Sequence, residues 1–354
     1  PLVSQARIGN ESGCMWENDE MSAKPTILVT GGAGYIGSHA VLALRDAGYG
    51  VVVIDNLVTG FRWAVPQDVP FVEGDIADQA LVGQTLLSHN VRAIMHFAGS
   101  VVVPESVENP LKYYHNNSAK SRDLIEVAVT CGVPHFIFSS TAATYGIPET
   151  SPVHEDVPKK PINPYGMSKL MTEIMLADVA AAHPINYCAL RYFNVAGADP
   201  QGRTGQSTAG ATHLIKVAVE AALGKRSHVS VFGTDFDTPD GTGIRDYIHV
   251  SDLAAAHVLA LEALMAEPER NHQLNCGYGK GFSVLEVLDA VDRVTNKTIE
   301  RRMEGRRAGD PPALISDNRA IMARFPWKPA YADLDMIVSH ALAWERKLTD
   351  VQSR

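Results

Sequence analysis

Cysteine is scarce in this chain: four among 354 residues (Cys14, Cys131, Cys188, Cys276), widely separated and without a CxxC pair. That argues against a zinc ribbon or a disulfide scaffold and for a reducing, cytoplasmic setting, with the thiols expected as small buried hydrophobes. Long apolar runs are missing too. No stretch approaches the roughly 18 consecutive apolar residues of a spanning helix, so no integral membrane protein is expected. Nor is positive charge in excess, since 31 basic residues face 40 acidic ones, a net −9 with neutral histidines. The field of such a chain repels polyanions, which argues against nucleic acid or an anionic membrane as partner. A small anionic ligand remains open to it if a few basic residues converge. The thirteen histidines are dispersed, with no HExxH or similar spacing, so no catalytic metal is expected.

What the chain has is apolar residues, 45% against 20% charged. That suffices for a sizeable core, in two ordinary domains or one large α/β unit with an appended lobe. Residues 1–23 stand apart, with no apolar periodicity and neither the basic nor the apolar region of a secretory signal, and a disordered extension is expected there.

From Lys24 the pattern becomes regular. Thr26–Thr30 is β-prone, Gly31-Gly-Ala-Gly34-Tyr35-Ile36-Gly37 follows, Ser38–Ala47 has helical periodicity, and Val51–Ile54 is a second strand with Asp55 at its end. Strand, glycine-rich turn, helix, strand and acid in this order form a dinucleotide-binding unit. Gly31 and Gly34 let a pyrophosphate approach the backbone, Gly37 lets helix and strand pack closely, and the helix N-terminus faces the phosphates. Asp55 is placed to accept from the adenosine hydroxyls and to repel a 2′-phosphate, which favours NAD over NADP. Phe71–Ile76 reads as another strand, with Asp75 reaching adenine or else capping the next helix. Ala93–Gly99, a helical stretch Pro110–Cys131 and the strand His135–Ser140 continue the alternation. The fold class is therefore α/β, a doubly wound parallel sheet of Rossmann type.

A second signal is Tyr165-Gly-Met-Ser-Lys169. On a helix, i and i+4 share a face, so the Lys169 ammonium is expected beside the Tyr165 phenol. A free phenol titrates at about 10 and is a poor base at neutral pH, and a nearby cation lowers that value. Asn163-Pro164 suits the start of this helix. Thr141, at a strand end 24 residues upstream, offers a hydroxyl to the same substrate oxygen.

TGGAGYIGS, HFAG, FSSTAATYG and YGMSK together resemble the extended short-chain dehydrogenase/reductase family. DNL at Asp55–Leu57, EGDI at Glu73–Ile76, NPYGMSKL at Asn163–Leu170, RYFNVAGA at Arg191–Ala198 and DGTGIRDYIHVSDLA at Asp240–Ala254 narrow the likeness to members that invert C4 of UDP-hexoses. The resemblance runs from about residue 25 to about 345. It implies interconversion of UDP-galactose and UDP-glucose through a 4-keto sugar, with NAD regenerated each turnover and so able to stay tightly bound. Tyr165 would be the base, Lys169 would hold the nicotinamide ribose, and Thr141 would stand where serine is usual. Relatives that eliminate water carry acids beside that hydroxyl. Here Ala142 and Ala143 cannot transfer protons, which fits oxidation without elimination. Other UDP-sugars, including N-acetylated hexoses and pentoses, and other NAD-dependent UDP-sugar reactions remain alternatives.

By the same resemblance, the cofactor would meet Gly31, Gly34, Tyr35, Ile36, Gly37, Asp55, Asn56, Asp75, Ile76, Phe97, Ala98, Gly99, Asn116, Ser139, Tyr165, Lys169 and Tyr192. The UDP-sugar would meet Thr141, Tyr165, Phe193, Asn194, His213, Phe232, Arg245, Arg307, Asp310 and Leu314. Three positions depart from the family pattern: Val101 replaces a lysine near the pyrophosphate, His213 replaces an asparagine at the diphosphate, and Leu314 is intermediate between tyrosine and a small residue at sugar C2. The expected division is 24–196 plus about 244–271 for the cofactor unit, and 197–243 with 272–354 for a smaller α/β substrate lobe. Residues 199–212 read as a polar loop outside the core, and Ser251-Asp252 as the cap of a helix running to Met265. A homodimer through helices near 105–130 and 165–182 is also implied.

Overall fold

The computed structural model describes residues 24–307 and 309–352, so the expectation for residues 1–23 lies outside the described residues. The first half alternates strand and helix: β1 (Thr26–Thr30), α1 (Tyr35–Asp46), β2 (Gly50–Asp55), β3 (Phe71–Glu73), α2 (Gln79–Ser88) and β4 (Val91–His96). Helices α3 (Val103–Glu108), α4 (Pro110–Tyr113) and α5 (Lys120–Thr130) precede β5 (His135–Thr141), α6 (Pro164–Ala182) and β6 (Asn186–Tyr192). Then come β7 (Asn194–Ala196), α7 (Leu214–Ala222), β8 (Val229–Phe232), β9 (Ile244–His249), α8 (Val250–Ala266) and β10 (His272–Cys276). The chain ends with β11 (Gly281–Ser283), α9 (Val284–Thr295), β12 (Arg301–Glu304), β13 (Ala313–Leu314), α10 (Arg319–Arg324) and α11 (Leu334–Gln352).

Seven strands form one parallel sheet in the order β10-β6-β5-β4-β1-β2-β3. Strand alternation builds its two faces. Ile27, Val29, Val51 and Val53 pack with Val41 and Leu44 of α1 and Leu253 and Leu261 of α8. Leu28, Val52, Ile54, Phe136 and Phe138 pack on the opposite side with Val82 of α2, Leu124 of α5 and Leu176 of α6. The strand order reverses between β1 and β4, and ligands of doubly wound sheets bind at the crevice such a reversal opens.

A smaller sheet joins β11, β9 and β13, with β7 against β9, while β8 pairs with β12. Helices α7, α9 and α11 enclose its apolar core around Val219, Tyr247, Val287, Leu288 and Ile337. Strand β10 follows the expected boundary at residue 271 yet pairs with β6 as the edge of the large sheet, while β9, expected with the cofactor unit, pairs only in the small sheet. Pairing between strands far apart in sequence leaves no local mark.

Three local readings need correction. Residues 199–212 do form a loop, but Thr204, Gln206 and Ser207 are buried, held by bonds such as Ser38 Oγ to Thr204 Oγ1 at 3.0 Å. The cap of α8 is His249, whose Nδ1 accepts from Ser251 N at 3.0 Å. Asp252 instead anchors the C-terminal segment, accepting from Ala330 N at 2.8 Å and Tyr331 N at 2.9 Å. The stretch 110–131 is helical but carries a π-helical turn at Tyr114–Ala119. Among the described residues, no helix is long and apolar enough to cross a membrane.

Candidate active site

The turn after β1 is shaped by its glycines. Gly31 has φ +69°, and a Cβ there would lie 2.6 Å from Ala98 N; at Gly37 a Cβ would lie 2.1 Å from Gly31 O. Both exclude any side chain. At Gly34 a Cβ would meet only Gly31 O, at 3.2 Å, so the backbone is bare outward. Helix α1 starts there with no side-chain cap, leaving N–H groups of its first turn free for an anion. Tyr35 donates to Gly197 O at 2.7 Å, and Ile36 packs on the core beside it.

Asp55 closes the cradle. Its carboxylate accepts from Ala33 N at 2.9 Å and Leu57 N at 2.8 Å, and burial, outweighing these bonds, raises its pKa. Asp75 does not cap the next helix, a role taken by Asp78. It accepts from Ala77 N at 3.0 Å and pairs with Lys120 at 2.6 Å. Burial works against its charge, but Lys120, Ala77 and Asn56 outweigh burial and its pKa falls. Ile76 is buried beside it. Phe97 extends β4 by donating to Thr30 O at 3.0 Å, and Ala98 and Gly99 follow at the same edge. Asn116 donates to Ser100 Oγ at 3.1 Å, while Ser139 and Tyr192 share a short hydroxyl contact. Val101 is half exposed within an apolar run, Val101–Val103.

Helix α6 begins at Pro164, and its cap Asn163 accepts from Gly166 N at 2.8 Å. Tyr165 and Lys169 share its buried face, and the Tyr165 phenol faces Thr141 at the end of β5. The expected lowering of the phenol by Lys169 is not what the geometry gives. Burial raises the Tyr165 pKa, offset in part by Thr141. The Lys169 ammonium instead donates to Ser139 O at 3.0 Å and is itself held down to about 8 by burial, with Glu173 acting the other way.

Several supporting residues escape a reading of motifs. Asn117 fixes the loop above the site, accepting from Ser100 N at 2.7 Å and donating to Ser100 O at 2.9 Å and Ser168 Oγ at 3.1 Å. Tyr113 lies edge-on to Tyr165, ring centroids 6.4 Å apart. Glu173, four residues beyond Lys169, forms a buried ion pair with Arg191 at 2.6 Å. The i+4 spacing of Glu173 was its only visible signal.

On the other wall, Phe193 and Leu314 pack with Ala142, Tyr145 and Val153, beside Thr141. Leu314 pairs with Arg245 across β13 and β9. Arg245 lies 3.4 Å from Asp310, whose backbone N–H reaches Arg307 O, and the Arg307 guanidinium sits 3.7 Å from the Phe232 ring centroid. Asn194 lies on β7 beside β9, and with His213, at the start of α7, it lines a cavity of about 20 Å³. Contacts thus run from Leu314 through Arg245 and Asp310 to Arg307 and Phe232, while Asn194 and His213 share a separate cavity.

Comparison with known proteins gives the family. The profile of the NAD dependent epimerase/dehydratase family matches residues 27–277. The chain belongs to that family. Among its relatives, a UDP-glucose 4-epimerase of Azospirillum brasilense is 55% identical over 330 residues, 93% of this chain and 94% of the relative. A solved UDP-glucose 4-epimerase from Brucella ovis in complex with NAD is 46% identical, with TM-score 0.87 over 90% of this chain and 98% of that one. That from Bifidobacterium longum, in complex with NAD+ and UDP, is 37% identical with TM-score 0.86, covering 91% of this chain and 98% of that one. Within the epimerase/dehydratase family, these members share the doubly wound fold seen here.

Proposed function

We propose that this chain interconverts UDP-galactose and UDP-glucose by transient oxidation at sugar C4, with NAD as a tightly held cofactor. The observation that carries this is the meeting of Tyr165, Thr141 and Lys169 at one strand end beside the glycine cradle, next to Ala142 and Ala143 rather than acids. The bare backbone at Gly34, the uncapped α1 and the Asp55 carboxylate suit a dinucleotide with a free 2′-hydroxyl. NAD bound there supplies a hydride acceptor and donor for the sugar carbon. Tyr165 takes the proton of the 4-hydroxyl and returns one, while Thr141 holds the same oxygen. Lys169, one turn on and bonded to Ser139 O, would hold the nicotinamide ribose. Arg245 and Arg307 bring local cations to a diphosphate in a chain of net negative charge. Leu314 borders the sugar at C2.

Purified protein given UDP-galactose without added cofactor should yield UDP-glucose. Tyr165→Phe should lower turnover by about 10²–10⁴-fold, the usual contribution of a positioned base, with NAD content unchanged. Turnover within a few-fold of the unsubstituted protein would rule out Tyr165 as the base. Running UDP-N-acetylgalactosamine and UDP-xylose alongside reads the tolerance of the Leu314 pocket.

The chain is further proposed to act as a cytoplasmic homodimer. Free Cys131, Cys188 and Cys276 are consistent with a reducing compartment. Exposed Met171 and Ile174 on α6 border an apolar groove of about 510 Å³ shared with Tyr114 and Ala119. Val107 and Leu111 are exposed on the adjoining α3 and α4. A second copy covering this face would remove it from water. Ile174→Glu should then halve the mass measured by light scattering, and a wild-type monomer would exclude the dimer.

A further inference from the structure

His213 stands at the head of α7, and its ring makes no cap bond to the helix. It instead meets a partner from the buried loop before it: Gln206 Nε2 lies 2.8 Å from His213 Nδ1. An amide nitrogen donates only, so Nδ1 is the acceptor and the neutral ring carries its proton on Nε2, the nitrogen left for the cleft. Gln206 is itself tied down. Its backbone carbonyl, not the side-chain amide, accepts from Lys216 Nζ at 3.0 Å, and Lys216 forms a buried ion pair with Glu345 of α11. The remaining charges around this corner are paired, with one cation in excess: Glu220 lies 3.5 Å from Lys216, Arg226 pairs with Glu220 at 2.5 Å, and Lys225 with Glu345 at 2.6 Å. Among the described residues, none of these pairs with His213.

We propose that Gln206 is a positioning residue that holds His213 as the neutral Nε2–H tautomer, so that a sugar-nucleotide diphosphate is met here by an oriented neutral donor and not by an imidazolium. The inference rests on the proposed contact between His213 and the UDP diphosphate. Protonation at Nδ1 would set two N–H groups head to head, so the donor keeps its state as pH falls unless the Gln206 amide turns over. His213 itself is exposed, so the setting of its tautomer rests on the Gln206 contact and not on burial. The Lys216–Glu345 pair links this setting to the C-terminal helix.

The test uses the NAD-loaded protein carrying Tyr165→Phe, which slows turnover, and UDP-glucose, whose diphosphate diester does not titrate in the range used. Calorimetric affinity should be flat from pH 8 to 5.5. Adding Gln206→Ala should weaken binding roughly two- to tenfold at pH 8, through lost orientation of one side chain. It should also make affinity rise as pH falls, as His213 becomes free to protonate. Further adding His213→Asn should abolish that pH response. Imidazole ¹⁵N shifts of the protein with Gln206 intact should show a protonated Nε2 and a bare Nδ1. An Nδ1–H tautomer, or the same pH response with and without Gln206, would overturn the proposal alone. Unchanged affinity in His213→Ala would instead remove the diphosphate contact, and the proposal with it.

Discussion

Glu173 lies one turn behind Lys169, and no solvent reaches it. Its carboxylate takes the Ser140 hydroxyl and a bidentate grip from Arg191, which also reaches Tyr145 at 3.0 Å. Burial opposes the Arg191 charge, but Glu173 more than offsets it and raises the pKa. Glu173→Gln leaves that guanidinium buried without its anion, which costs about 3–5 kcal/mol and should appear in urea unfolding. The same carboxylate raises the pKa of Lys169 against burial. In the surviving folded protein, the basic limb of the pH–rate profile should therefore move to lower pH. A limb that stays in place would mean that Glu173 supports the fold without setting the charge of Lys169.

At the scale of the element, α6 aims Tyr165 through its first turn. Asn163 caps it, Pro164 occupies the position where a missing N–H is harmless, and Gly166 lies against the turn after Thr141, where a Cβ would come within 2.5 Å of Ala143 O. Loss of the cap in Asn163→Ala should cost about 1 kcal/mol. Because the frayed turn holds Tyr165, kcat should fall more than KM rises, and a change confined to KM would contradict this. The cap and the proline were legible because their signals lie within a few residues. The π-helical turn at Tyr114–Ala119 was not. It depends on partners across space: the Asn117 carbonyl takes Ser121 Oγ at 2.5 Å and Thr172 Oγ1 at 3.1 Å, and helical periodicity over 110–131 does not record them.

At the scale of the whole molecule, six histidines are buried among the described residues, and the four most deeply buried are held neutral. Burial, the largest cause in each, lowers His39 and His257 to about 4 and His96 and His249 to about 3. His96 adds the Lys169 charge, and His249 the neighbouring His340 at 3.0 Å. In the unfolded chain each titrates at about 6.5. Below that pH the unfolded state binds protons that the folded state refuses, so the stability these residues contribute is complete above pH 6.5 and declines as pH falls. Between pH 7 and 5.5 each should cost on the order of 1 kcal/mol. Urea midpoints over this range should fall accordingly, and a flat profile would show that these rings are not held neutral. Their dispersal in the sequence indicated no metal motif but not this shared burial.

By itself, the sequence determined the dinucleotide unit, the cap and buried face of α6, and the alternation that becomes the large sheet. Each is a short-range pattern of glycines, apolar period and capping residues, written within one or two turns of chain. Only the tertiary structure decided that β10 closes the large sheet, that Lys169 turns to Ser139 O while burial raises Tyr165, and that Arg245, Asp310, Arg307 and Phe232 converge. Protonation and partner choice follow from burial and from groups tens of residues away, and neither leaves a local trace.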